Sequence, residues 1–246
     1  MAKAAPAEQL RLLDLAQLHS QITKLKRSIT EASQDGDLDA AVAKHAESAA
    51  AFSEVGARLT AATQGLKDSE LAVEKVVAHI NKDQDRIDRN AGSASDMMAL
   101  SHEIDSLTVR RNELEDNQLE LMGELEEIQA EHDAATVQLA THTGEVATHT
   151  ARRDAAVATL TQELAATENA RKELAATFDE VLIGAYERVR TRGGIGAARL
   201  FHGTSEASGI ALAAGDLAEI KAAADDDIVY CPDSGAILVR HSEWGS

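Results

Sequence analysis

Leu38-Asp-Ala-Ala41-Val-Ala-Lys-His45-Ala-Glu-Ser48-Ala-Ala-Ala-Phe52 opens a column that recurs every seven residues and continues through Leu59, Leu66, Val73, Ile80 and Ile87. All of these but His45 are apolar or aromatic. A companion column three residues on, Ala41, Ser48, Val55, Ala62, Ser69 and Val76, stays small or apolar until Asp83. A period of 3.5 residues held over seven heptads keeps one stripe of a helix facing the same way, which is the pattern of a helix supercoiled on a partner.

The same reading extends outward in both directions. A first helix begins near Pro6 or Ala7, since proline suits a first turn; its apolar column is Leu15, Leu18, Ile22, Leu25 and Ile29. The step of nine from Ile29 to Leu38 fits no heptad, and Asp35-Gly36-Asp37 lies in it, so a kink or short break is expected near residues 33–37. Asn90-Ala-Gly92-Ser93 offers residues for a left-handed helix end, Ser93 or Ser95 an N-cap, and Asp96 a first-turn acid. That is the tip of a hairpin, near residues 90–95.

Beyond the tip, a returning helix carries Met97, Leu100, Ile104, Leu107, Arg111, Leu114, Gln118, Leu121, Leu125, Ile128, His132, Ala135, Leu139, His142 and Val146. It then steps eleven residues to Val157 and continues through Leu160, Leu164, Thr167, Arg171, Leu174, Phe178 and Val181. Such a jump inserts four residues into the heptad, a stutter. Folding the chain about residues 92 and 93 sets Ile80 against Ile104, Phe52 against His132, Leu25 against Leu160 and Ile22 against Leu164. The break near residues 30–37 then falls opposite the stutter. Two irregularities at one height favour an antiparallel hairpin over a parallel homodimer.

Composition agrees with this division. The 246 residues include three Phe, two Tyr, one Trp and two Pro, too few rings and breakers for one large globular core. Five of the six aromatics, Phe178, Tyr186, Phe201, Tyr230 and Trp244, fall in the last third. The chain therefore reads as mainly α: a long antiparallel coiled-coil hairpin over residues 1–187, followed by a small α+β domain over residues 188–246. A formal charge of −18 opposes general affinity for nucleic acid or anionic membranes. With no long apolar run and no hydrophobic leader after Met1, the expected location is cytoplasmic, without a membrane partner. Cys231 is the lone cysteine, so no internal disulfide framework is expected.

Four histidines, His45, His132, His142 and His149, stand in seam columns, and the fold-back sets His45 close to His142. They read first as polar layers that set register, and second as a metal clip or a pH switch. Arg188, Arg190, Arg192 and Arg199 flank Gly193-Gly194-Ile195-Gly196. The stretch reads as helix-end cations with a solvated loop, or alternatively as a phosphate or nucleic-acid contact.

The last segment gives a strand at residues 195–201, a turn at 203–209, a helix at about 214–224, a strand at 228–230, a turn at 231–235 and a strand at 237–240. Its two turns share a form: Ser205-Glu-Ala-Ser208-Gly209 and Cys231-Pro-Asp-Ser234-Gly235 each set two residues three apart before a glycine. This pattern, with Met98-Ala-Leu-Ser-His-Glu-Ile-Asp-Ser-Leu107, Glu113-Leu-Glu-Asp116 and Asp216-Leu-Ala-Glu-Ile220, resembles the C4-type zinc-ribbon family with an N-terminal coiled-coil hairpin. The resemblance implies metal ligands at Ser205, Ser208, Cys231 and Ser234, where three of four thiolates have become hydroxyls. Neutral hydroxyls are poor zinc ligands, so no metal is expected there. A makeshift site from His202, Asp233 and His241 is a minor alternative. The expected ribbon core is instead Phe201, Ile210, Leu212, Leu217, Ile220, Ile228, Tyr230, Ile237 and Leu238.

No nucleophile elbow, P-loop, dinucleotide fingerprint or metalloprotease motif is present, and no enzyme or cofactor is expected. Two functions remain: a scaffold or adaptor for a protein partner, as monomer or weak dimer, or a nucleic-acid-binding regulator using the ribbon and the Arg188–Arg199 stretch.

Overall fold

A computed structural model describes residues 3–240; His241 and Trp244 lie outside the described residues. The chain forms two compact units, one of residues 36–151 and one joining the residues up to 35 with those from 152 onward.

The unit of residues 36–151 is a helical hairpin. Helix α1 (Pro6–Ser33) precedes it, α2 (Gly36–Asp88) forms one arm, and the other is the first part of α3 (Ala94–Ala175). At the tip Asn90 takes φ 51° and Gly92 φ 153°. The Ser93 hydroxyl accepts the Asp96 N–H at 3.2 Å while the Asp96 carboxylate accepts the Ser93 N–H at 2.8 Å, a reciprocal cap for α3. Hydrogen bonds from the Ser93 backbone and hydroxyl hold the Asp96 carboxyl below its usual range. The arms run antiparallel: Phe52 meets the His132 ring at 4.9 Å, and Arg58 pairs with Glu131 at 2.6 Å.

Within α2 the companion column, not the column of large residues, is the more deeply buried. Ala41, Ser48, Ser69 and Asp83 are buried and Val55, Ala62 and Val76 half-buried, whereas in the column of large residues Leu38 alone is buried and Phe52, Leu59, Leu66, Val73 and Ile80 are half-buried. Small side chains let two backbones approach closely, and with only one neighbouring helix the larger ones keep an edge in water. On α3 every expected seam position from Ile104 to Val146 is half-buried, and Leu100 is buried.

The other unit is built on a five-stranded sheet of order β3-β2-β1-β5-β4. Its strands are β1 (Ala197–Phe201), β2 (Thr204–Ser205), β3 (Ile210–Ala211), β4 (Val229–Tyr230) and β5 (Ile237–Arg240). The central pair β1 and β5 is parallel and the remaining neighbours are antiparallel. Successive residues of β5 face opposite sides. Ile237 and Val239 join Leu12 and Leu15 of α1, Phe178, and Leu182 and Tyr186 of α4 (Glu180–Thr191). Leu238 joins Leu200, Leu212, Cys231 and Ile220 of α5 (Ala214–Ala222) on the other face. Both faces of the parallel pair are covered, which is why β5 reads Ile-Leu-Val without alternation.

Two sequence expectations are corrected here. The returning helix ends at Ala175, earlier than its apolar column suggests. The Thr177 hydroxyl donates to the Leu174 carbonyl at 2.7 Å, and the Asp179 carboxylate accepts the Val181 N–H at 2.8 Å to start α4. These short polar side chains offer the backbone local bonds in place of a continuous helix, and Val181 consequently faces solvent. Ile210 and Tyr230, assigned to the ribbon core, are exposed. They lie on β3 and β4, the edge strands.

The N-terminal segment is pinned to the loop before β4. Ala4 N–H donates to the Asp226 carbonyl at 2.9 Å, Lys3 Nζ reaches the Asp226 carboxylate at 2.9 Å, and buried Gln9 donates to the carbonyls of Ala4 and Asp225. Arg240 gathers the carbonyls that follow α5, donating to Ala223, Ala224, Asp225 and Asp227 at 2.6–3.1 Å. A cation is well placed at a helix C-terminus. Among the described residues no helix is long and apolar enough to cross a membrane.

The tightest packing in this unit is at Gly196. A Cβ there would lie 2.4 Å from Cε2 and 2.5 Å from Cζ of the fully buried Tyr186 ring. Gly196→Ala should therefore cost about 1–3 kcal/mol in denaturant unfolding, the usual penalty for overpacking a filled core. Gly144→Ala, with open space around it, should cost nothing.

Candidate interaction site in the C-terminal unit

The two turns of common sequence form have a common structure. In the first, Gly209 N–H donates to the Ser205 carbonyl at 2.8 Å; in the second, Gly235 N–H donates to the Cys231 carbonyl at 2.8 Å. The two glycines take φ +71° and +69°, a left-handed conformation that favours glycine. Side-chain hydroxyls accept the amides two residues on: Ser205 from Ala207 at 3.3 Å, Ser208 from Ile210 at 3.3 Å and Ser234 from Ala236 at 3.4 Å.

Ser205 and Ser234 come together at Cys231. The thiol is buried at 2% exposure, and Ser205 is fully buried. Burial pushes the thiol pKa up, but hydrogen bonds from the Ser205 and Ser234 hydroxyls and the Ser234 and Asp233 backbone outweigh it, leaving it below the ordinary thiol value. This donor set does not fit structural zinc: one thiol faces hydroxyls already engaged as hydrogen-bond partners. Among the described residues, no cluster of three or more His, Cys, Asp or Glu ligand atoms gathers at Cys231. His202, offered as a makeshift ligand, sets its ring edge-on to Phe201 at 4.0 Å, and Asp233 is exposed.

The basic stretch is partly neutralised by its own neighbours. Arg199 pairs with Glu206 at 2.6 Å and lies 4.5 Å over the Phe201 ring. Arg190 lies 3.6 Å from the Glu187 carboxylate, while Arg188 and Arg192 are exposed. Arg190 also lines an open cleft of about 430 Å³ with His19, Thr23, Lys24, Tyr186 and Gly194. Its walls carry two cations, Lys24 and Arg190, the second already held by Glu187.

At its floor is a network that the sequence reading did not assemble. Arg171 Nε donates to His19 Nε2 at 3.1 Å, and the guanidinium also pairs with Glu187. An arginine can only donate, so His19 Nε2 holds a lone pair and the ring proton sits on Nδ1. That N–H is shared between the Tyr186 hydroxyl at 2.8 Å and the Leu15 carbonyl at 3.1 Å. Burial, then the nearby charges of Arg190 and Arg171, lower the His19 pKa to about 4; burial raises that of Tyr186 to about 12. The sequence held one signal, Arg171 in a column otherwise mostly apolar.

The seam histidines are dispersed. The His132 ring lies tilted against Phe52, and His142 Nδ1 meets the Ser48 hydroxyl, three residues on from His45; His45 and His149 are half-buried. Among the described residues no cluster of three or more ligand atoms contains two of these four.

Comparison with known proteins follows the same outline. The model of a CT398-like coiled-coil hairpin domain matches residues 15–194. An uncharacterised protein of Mycobacterium tuberculosis is 35% identical over 252 residues, covering 97% of each chain. A solved structure from Mycobacterium smegmatis is 31% identical with a TM-score of 0.65, over 97% of this chain and all of that one. CT398 from Chlamydia trachomatis is 17% identical with a TM-score of 0.60, over 95% of this chain and 97% of that one, and shares the fold.

Because the folded pKa of His19 lies below its unfolded value near 6.5, the network stabilises the neutral ring. That contribution is present above pH 6.5 and is lost as pH falls toward 4, at up to about 1.4 kcal/mol per pH unit. The stability difference between the native chain and His19→Gln should narrow over that window; a difference independent of pH would contradict a buried neutral imidazole.

Proposed function

The chain belongs to the CT398-like coiled-coil hairpin family, and from its geometry we propose that it is a non-enzymatic cytoplasmic scaffold or adaptor that binds a protein partner. The hairpin is the primary surface, and the ribbon-like unit, folded without metal, is a second.

The observation that carries this reading is the outer face of α3. The seam positions of that helix are already occupied against α2, yet Val109, Leu119 and Val137 stand at outward heptad positions with 60, 65 and 66% of their surface in water. Outward positions of a two-helix coil are ordinarily polar, and apolar side chains on such a face suit the packing of a further helix. Among the described residues, the two side chains best suited to chemistry are engaged or buried. The lone pair of His19 is engaged by Arg171, and Cys231 is buried. The nucleic-acid reading has less support, because Arg190 and Arg199 are engaged by Glu187 and Glu206 and the formal charge is −18.

The test is affinity capture with the full chain beside a triple variant, Val109→Glu, Leu119→Glu and Val137→Glu. The native chain should retain a discrete protein that the variant loses, with helix content by circular dichroism equal in the two. Equal retention by both chains, or recovery of RNA that falls away with salt and with Arg188→Ala and Arg192→Ala, would overturn the reading.

A further inference from the structure

Asp83 is the sole acidic residue in the two seam columns of α2, and its side chain is 3% exposed. Its Oδ2 accepts no hydrogen bond, while Oδ1 lies 3.5 Å from Nη1 of the exposed Arg86. A buried carboxylate oxygen that accepts no hydrogen bond is costly, and an apolar residue at this position would serve a coiled coil better. What surrounds that oxygen gives it a use. His79, one turn earlier on the same face of α2, places Nε2 3.3 Å from Asp83 Oδ2. Glu103, on α3, brings Oε1 to 3.7 Å from the same Nε2. One ligand atom from each of the three lies within 4.8 Å of the others. Atoms so spaced can surround a single cation at bond lengths of about 2.0–2.2 Å after small rotamer adjustments.

We propose that His79, Asp83 and Glu103 form a divalent transition-metal site that clips α2 to α3 near the hairpin tip. One imidazole and two carboxylates make a nitrogen and oxygen donor set without thiolate, suited to Zn²⁺ and its first-row neighbours. His79 and Glu103 are 48 and 51% exposed, so the ion has a path from solvent and keeps water in its remaining positions. Buried Asp83 supplies the fixed anchor. Because one ligand comes from the second arm, binding stabilises the paired hairpin and not either helix alone.

Calorimetric titration of the full chain with Zn²⁺, after EDTA treatment and dialysis, tests the site. The native chain should bind one equivalent that weakens by about tenfold or more in each of His79→Ala, Asp83→Asn and Glu103→Gln. Glu103→Gln alters an exposed side chain and leaves the fold intact, so its result is interpretable by itself. Asp83→Leu should melt higher than the native chain in EDTA and no longer respond to Zn²⁺ in its hairpin. Absence of a stoichiometric equivalent, or one that survives all three ligand substitutions, would overturn the proposal.

Discussion

The contact on which the C-terminal unit depends is the seating of Leu12 and Leu15 against Ile237 and Val239. Two of the five strands have only two residues on the outer side of β1, a third is equally short beside β5, and the turns between them hold one thiol. Such a sheet has little to hold it unless both faces of its central pair are covered. Helix α5 covers one face; α1, α4 and Phe178 cover the other. Each fully buried leucine contributes about 2–3 kcal/mol by removal from water, and the clasp formed by Lys3, Ala4 and Gln9 fixes where α1 begins. Here the two turns share their backbone bonds and positive-φ glycines, and burial against a helix from the other end of the sequence covers the sheet.

That burial links the fold to the cleft. Tyr186 lies fully buried between α1 and Gly196, and its hydroxyl is satisfied only because His19 of α1 presents an Nδ1 proton. Arg171 fixes the tautomer from α3, and Glu187 from α4 holds Arg171. Three helices are therefore coupled by one chain of hydrogen bonds with a single consistent assignment of donors. The hairpin unit works by a different rule. Its small column brings two helices close, so polar residues there, Ser48, Ser69 and Asp83, are buried alongside Ala41.

Much of this was legible in the sequence because periodicity reports burial. The seam of α3, the break before Leu38, the tip at Asn90 and Gly92, and the bounds of β5 all follow from spacing and capping chemistry. What spacing could not give was partnership between distant segments. Leu15 belongs to a helical column that looks like any other coiled-coil stripe, Leu12 lies just before it, and nothing local says that the two meet a sheet more than 180 residues later. The end of α3 was missed because the apolar column runs on through Phe178 and Val181, while Thr177 and Asp179 redirect the backbone. Ile210 and Tyr230 were misassigned since hydrophobicity does not distinguish an edge strand from a central one. The turns around Ser205 and Cys231 were readable as a pair, whereas the His19 network required Arg171, Tyr186 and His19 to be seen together. His79 passed unnoticed because it lies outside both seam columns.

The central claim, that burial by α1 holds the sheet, is tested most directly by amide hydrogen exchange of β1 and β5 in the full chain. Protection of Ala198 to Leu200 and of Leu238 and Val239 should be the same with and without EDTA, and should fall sharply in Leu12→Ala, Leu15→Ala. Protection that vanishes in EDTA yet survives the double substitution would contradict the account.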